Sequence, residues 1–245
     1  MDLHIRLPKM LGDTVASTAV LKTLRGTFPD KKLIVYTHVP DLVQGLDSVD
    51  EIHPSKSFVT TDRSVDLLNF LEERDPLNAK PYRHLIDHMY EVTEDSLRTT
   101  LTRNHVPSFT PEQKDLEDAK KILEEVDEGK PVIWLQKKTS TPKKDWLHTY
   151  WREFEDHNKS RYTFLELDGR YGRRADITVT QMCAGGITLD TFLSHGSQAV
   201  GASNVVVILM STRPEVVTYP NQHVLYEQEH VVSPDLVTET LRKLV

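Results

Sequence analysis

Leu3-His4-Ile5-Arg6-Leu7-Pro8-Lys9-Met10-Leu11-Gly12-Asp13-Thr14-Val15-Ala16 is the stretch on which the fold turns. Leu3, Ile5 and Leu7 alternate with His4 and Arg6, the period of a strand, and Pro8 closes the run. Lys9 to Asp13 read as a loop. From Thr14 to Thr27 the apolar residues Ala16, Val20 and Leu24 recur every four positions beside Val15, Ala19 and Leu21, which predicts a helix with one buried face. Gly26 and Pro29 stop it. Leu33 to Tyr36 then reads as a fully buried strand, Pro40 to Leu46 as a short helix and Glu51 to His53 as a third strand. Strand and helix in alternation imply a parallel sheet.

Outward from there the pattern repeats. Val65 to Phe70 reads as a further strand, and Tyr82 to Tyr90 and Asp95 to Thr102 as two helices. Pro111 to Val126 is a charged helix, with Leu116, Ala119, Ile122 and Leu123 at helical spacing. Asp127 to Lys130 turn the chain into the strand Val132 to Leu135, so the expected division is 1–128 and 129–245. The second half reads as a helix at Tyr150 to Asp156, strands at Tyr162 to Leu167 and near Ile187, a helix at Leu193 to Val200, a strand at Val205 to Met210 and a closing helix at Pro234 to Leu244. That last helix could pack back on the first domain. No repeat or low-complexity tract interrupts the two halves.

The 245 residues are 38% hydrophobic, enough for ordinary buried cores in two modest domains. Thirty-seven acidic against 30 basic side chains give a formal charge of -7, which counts against broad adhesion to phosphate polymers. No apolar run reaches the roughly 20 residues of a membrane-spanning helix, and the amino terminus lacks a signal-peptide pattern, so a cytoplasmic location is expected. The single cysteine, Cys183, excludes an intrachain disulfide and a cysteine-based zinc cluster and reads as a buried small hydrophobe.

Ligands of parallel sheets gather beyond the carboxyl ends of strands, where helix amino termini present unpaired N–H groups. Three loops fall there. In Lys9-Met10-Leu11-Gly12-Asp13-Thr14, Gly12 would allow a tight turn, and Asp13 is either an N-cap or a carboxylate able to take a proton from a hydroxyl. In Gln136 to Trp146 four lysines are interleaved with Thr139, Ser140 and Thr141; this is either a solvated loop or a cradle for a diphosphate. In Gly185 to His195, Asp190 and Thr191 stand at a strand-to-helix junction, as caps or as ligand contacts.

Together these loops resemble glycosyltransferase family 9, the heptosyltransferase-type enzymes. Leu11-Gly12-Asp13-Thr14-Val15 is similar to the family's Gly-Asp loop. Lys144-Asp145-Trp146 through Trp151 matches its Lys-x-Trp-x-x-x-x-Trp pattern, and Asp190-Thr191-Phe192-Leu193-Ser194-His195 is similar to its Asp-Thr-Gly-Leu-Ser-His. The resemblance implies a GT-B-like α/β architecture, two Rossmann-like domains with parallel sheets facing across a cleft. It implies Asp13 as general base, with Lys9, Met10 and Gly12 beside it on the acceptor side. Thr139, Ser140 and Lys144 would hold the donor phosphates, and Asp190, Thr191, Leu193, Ser194 and His195 would line the donor site. The implied reaction is transfer of a sugar from a nucleotide-sugar, with an ADP-heptose-like donor among the options, to a saccharide or glycolipid acceptor. It proceeds with inversion, no metal and no cofactor, and a glycolipid acceptor would bring peripheral membrane contact. Oligomeric state stays open.

Two features depart from the pattern. Phe192 replaces a glycine, and the span from Ile177 to Asp190 looks too short for a helix and a strand, so a compact variant is expected. Two alternatives stand beside the main reading. One is transfer to a hydroxylated base in DNA, for which the turn Asp168 to Arg174 offers cations. The other is a noncatalytic sugar-nucleotide-binding module. His84, Asp87 and His88 share a helical face but lack a third distant metal ligand.

Overall fold

The computed structural model describes residues 2–226 and 231–245. The chain divides into two compact units, 1–110 and 111–245. The first contains β1 (Leu3–Arg6), α1 (Leu11–Thr27), β2 (Leu33–Thr37), β3 (Glu51–Pro54), β4 (Ser64–Asp66), α2 (Phe70–Arg74) and α3 (Leu85–Leu97). Its four strands pair in the order β3-β2-β1-β4, all parallel. Leu3, Ile5 and Leu7 are buried, as are Val15, Ala16, Ala19, Val20 and Leu24 of α1. The sequence periodicities therefore mark real core faces.

Local differences from the sequence reading have physical causes. The expected strand Val65 to Phe70 is only three residues long, and buried Phe70 instead opens α2. The two expected helices between Tyr82 and Thr102 are one. β-branched Val92 and Thr93, weak helix formers, are held in it by burial and by a 2.8 Å bond from Thr93 Oγ1 to Met89 O. Arg98, left-handed at φ 51°, ends the helix. Pro40 to Leu42 form only a 3-10 turn.

The second unit contains α4 (Gln113–Val126), β5 (Val132–Leu135), α5 (His148–Asn158), β6 (Thr163–Glu166), α6 (Arg173–Met182), β7 (Gly185–Thr188), α7 (Phe192–Ala199), β8 (Val205–Leu209), α8 (Pro214–Val217), β9 (His223–Tyr226) and α9 (Pro234–Leu244). The strand order is β6-β5-β7-β8-β9, again all parallel. The division falls before α4, not at residue 128, because α4 packs on α6 and β6. Asp115 of α4 accepts bonds of 2.9 and 2.7 Å from Arg174 of α6. The helix α9 packs on α5 and β8 within its own unit.

The span from Ile177 to Asp190 does hold both a helix end and a strand. Cys183 and Ala184 alone join α6 to β7, and two glycines make the compression workable. A Cβ on Gly186 would overlap the Trp134 ring, and one on Gly196 would come within 2.7 Å of Ile177, so each lets a bulky neighbour lie against backbone. Cys183 is buried, and burial pushes its thiol up to about 12, which leaves it inert. Among the described residues no helix is long and apolar enough to cross a membrane.

Candidate functional site

In each sheet the chain leaves one strand in both lateral directions, and the crevice beyond the carboxyl end of that strand is where ligands of open α/β sheets bind. In the first unit this point follows β1, flanked by β2 and β4. Pro8, Lys9 and Met10 occupy it, and α1 begins at Leu11, earlier than its periodicity indicates. The N-cap position falls on Met10, whose side chain caps nothing, so Asp13 is the third residue of the first turn and not the cap. Gly12 is helical too, and the expected tight turn does not occur there. Thr14 closes the loop instead, its Oγ1 lying 2.9 Å from Pro8 O and 3.0 Å from Met10 O. Asp13 is half-buried, while Lys9 and Met10 are exposed. Beside them, at the carboxyl end of β1 and β4, Arg6 pairs with Asp66, and its guanidinium lies 4.8 Å from the centre of the Phe58 ring.

In the second unit the reversal lies between β5 and β7. Gln136 follows β5; Asp190 and Thr191 follow β7, with Thr191 at the N-cap position of α7. Lys144 reaches across from its loop and places Nζ 2.6 Å from Asp190 Oδ2. Thr212, beyond β8, donates to the same oxygen at 2.5 Å. Thr191 does not cap α7 with its side chain: its hydroxyl donates to Gln136 Oε1 and lies 3.1 Å from that of Thr188. One lysine, one carboxylate and a set of hydroxyls thus converge at the amino terminus of an eight-residue helix, an arrangement suited to a phosphate-bearing ligand.

The lysine-rich loop is not uniform. Lys137 is neutralised between Glu155, at 2.6 Å, and Glu166, at 3.2 Å. Lys138 and Lys143 are exposed, and Lys144 alone of the four reaches Asp190. Thr139 is committed within the loop, its N–H donating to Asp145 Oδ1 at 2.7 Å and its hydroxyl to Thr141 O at 2.6 Å, while Ser140 is exposed. Trp146 anchors the loop: it is buried, donates from Nε1 to Val232 O at 2.7 Å, and meets Trp151 edge-on at 4.8 Å. The tryptophans of the Lys-x-Trp pattern are core residues that fix where Lys144 points.

Leu193, Ser194 and His195 lie on the buried side of α7. Ser194 Oγ bonds to Thr191 O at 2.8 Å, and His195 Nδ1 lies 2.7 Å from the Tyr219 hydroxyl. Burial, with a smaller contribution from Lys144, lowers the His195 pKa to about 4 against the pull of Asp190, so the imidazole is neutral at ordinary pH. All three side chains are buried, and those of Ser194 and His195 are engaged within the unit. Gln136, Thr188 and Thr212 were not singled out by the sequence reading. Gln136 and Thr212 meet Thr191 and Asp190 only through parallel pairing of strands distant in sequence, whereas Thr188, at the end of β7, is a local neighbour.

The basic turn offered for DNA is spent internally. Arg170 makes two contacts to Asp168, at 2.9 and 3.0 Å, and Arg174 is held by Asp115. On α3, Asp87 is engaged by His105 at 2.9 Å and Arg103 at 3.2 Å.

Two parallel sheets, each with polar residues gathered where its strand order reverses, define an α/β protein of the GT-B-like type. The fold is shared with a glycosyl transferase of family 9 from Veillonella parvula, at a TM-score of 0.78 and 14% identity over 99% of this chain and 97% of that one. It is shared also with ADP-heptose lps heptosyltransferase II of E. coli, at 0.70 and 16% over 99% and 98%. E. coli heptosyltransferase WaaC, solved with ADP, matches at 0.69 and 14% over 99% of both chains. The resemblance to family 9 therefore holds at the level of the fold along nearly the whole chain. No protein-family model and no curated protein sequence matches this one.

Proposed function

We propose that this protein is an inverting, metal-independent glycosyltransferase that moves a sugar from a nucleotide-sugar to a saccharide hydroxyl. The observation that carries the reading is the meeting of Lys144, Asp190 and Thr191 at the amino terminus of α7, at the reversal point of the second sheet. Departure of a nucleoside diphosphate develops negative charge, and an ammonium together with the positive end of a helix meets that charge without a metal ion. Asp13, in the first turn of α1, would take the proton of the acceptor hydroxyl as that oxygen attacks the anomeric carbon. The bond from carbon to phosphate oxygen breaks as the new glycosidic bond forms. His195 is neutral and internal and takes no part in charge neutralisation.

Because the heptosyltransferase matched above was solved with ADP, adenine nucleotides are the first to test. Calorimetric titration with ADP, UDP, GDP and their sugar conjugates is expected to find one nucleotide bound by the wild type and bound measurably but more weakly by Lys144→Ala. Equal affinity in the two proteins would refute the phosphate role of Lys144. Donor binding with no release of nucleoside diphosphate, whatever the acceptor, would instead support a noncatalytic module.

A further inference from the structure

Asp190 Oδ2 accepts two donors at once, Lys144 Nζ at 2.6 Å and Thr212 Oγ1 at 2.5 Å. The carboxylate is largely buried, its side chain 9% exposed, whereas Lys144 is 26% exposed and faces solvent on one side. Thr212 is buried beyond the end of β8, the strand hydrogen-bonded to β7, so its hydroxyl comes from a neighbouring element and not from the loop that carries Asp190. A lone Lys144 contact would leave the carboxylate free to rotate about its side-chain torsions. The second donor, buried just beyond β8, fixes which oxygen faces the lysine and from which direction. We infer that Thr212 is a positioning residue: by orienting Asp190 it holds the Lys144 ammonium at the amino terminus of α7, where a diphosphate arrives. This rests on the reading that Lys144 meets the diphosphate.

The lysine has three donor hydrogens, so one can stay on Asp190 while others turn to phosphate oxygens. Binding then exploits an ammonium already in place, and loss of that preorganisation appears as lost affinity. The effect should reach the nucleotide only through Lys144, which separates positioning from support of the fold.

The test is nucleotide titration of wild type, Thr212→Val, Thr212→Ser, Lys144→Ala and the Thr212→Val/Lys144→Ala double variant, using the nucleoside diphosphate that wild type binds best. Thr212→Val keeps the shape and removes the hydroxyl; it is expected to weaken binding about tenfold, the equivalent of ~1.4 kcal/mol. Thr212→Ser, which keeps the donor, should stay within about twofold of wild type. In the Lys144→Ala background Thr212→Val should change nothing, the signature of two residues acting as one unit. Wild-type affinity in Thr212→Val, or the same tenfold loss persisting without Lys144, would overturn the inference while leaving the phosphate role of Lys144 intact. Undiminished binding by Lys144→Ala would overturn both. Thermal unfolding of each variant confirms that the folded proteins are being compared.

Discussion

A carboxylate in the first turn of a helix sits in the positive field of that helix, and at Asp13 no side-chain cap competes for it, since the N-cap position holds Met10. Asp13→Asn keeps the shape but cannot take a proton. It is expected to lower turnover by about 10²- to 10⁴-fold while leaving donor affinity nearly unchanged, as steady-state kinetics and titration would show. Asp176 is a residue of another kind. It is fully buried in α6, accepts one bond from Gly169 N–H at 3.0 Å, and its Oδ1 meets no partner among the described residues. Burial pushes its pKa from 3.8 up to about 6. A carboxyl whose pKa is higher in the folded state stabilises the fold most when protonated, and that contribution falls away as pH rises from about 4 through about 6. Asp176→Asn should therefore raise stability by roughly 1–3 kcal/mol at pH 8 and by little at pH 4. Denaturant titrations of both proteins at the two pH values check this, and an equal effect at both would rule it out.

Among elements, β7 is the one on which the second sheet depends. It lies between β5 and β8, and Gly186 admits the Trp134 ring from β5 on the face where any side chain would collide. Gly186→Ala is expected to cost about 3 kcal/mol or more, because neither the indole nor the backbone of a central strand can yield cheaply. A fall in the unfolding midpoint would register it, and a midpoint equal to wild type would show that the ring moves aside. Helix α6 illustrates the limits of propensity: Ile177, Thr178, Val179 and Thr180 favour a strand by type, yet all are buried in a helix clasped between α4 and α7. Its beginning and end were therefore invisible to periodicity, and the chain from Ile177 to Asp190 looked too short when it was only tightly joined.

At the scale of the molecule, the alternation of buried strand and amphipathic helix was legible because burial on one or both faces leaves a period in the residues, as in Leu3, Ile5 and Leu7 or Val205 to Leu209. The positions of the three candidate loops were legible for a related reason, since they follow those strands. What the sequence withheld depends on contact between distant segments. The pairing of Thr212 with Asp190 is one instance, and the neutralisation of Lys137 by Glu155 and Glu166 is another. The place of α4 is a third. Its charged surface reads as the end of the first domain, whereas Asp115, Ala119 and Ile122 are buried within the second. A fragment of residues 111–245 is accordingly expected to unfold cooperatively. One of residues 129–245 leaves Arg174 without Asp115 and the face of α6 bare, at a cost of about 3–5 kcal/mol, and should not fold stably. Circular dichroism melts of the two fragments distinguish these outcomes.

The all-parallel pairing of both sheets also has a consequence in time. None of the described strands can zip to its neighbour through a hairpin, so each of their ladders waits for a crossover to close, which makes folding slow relative to proteins built of local contacts. During synthesis the first sheet has all its strands once Asp66 has emerged. The crevice between β5 and β7 cannot form until Thr188 has followed Val132 out of the ribosome, and its hydroxyl from Thr212 arrives later still. The groups that gather around Lys144 are among the last that the nascent chain brings together.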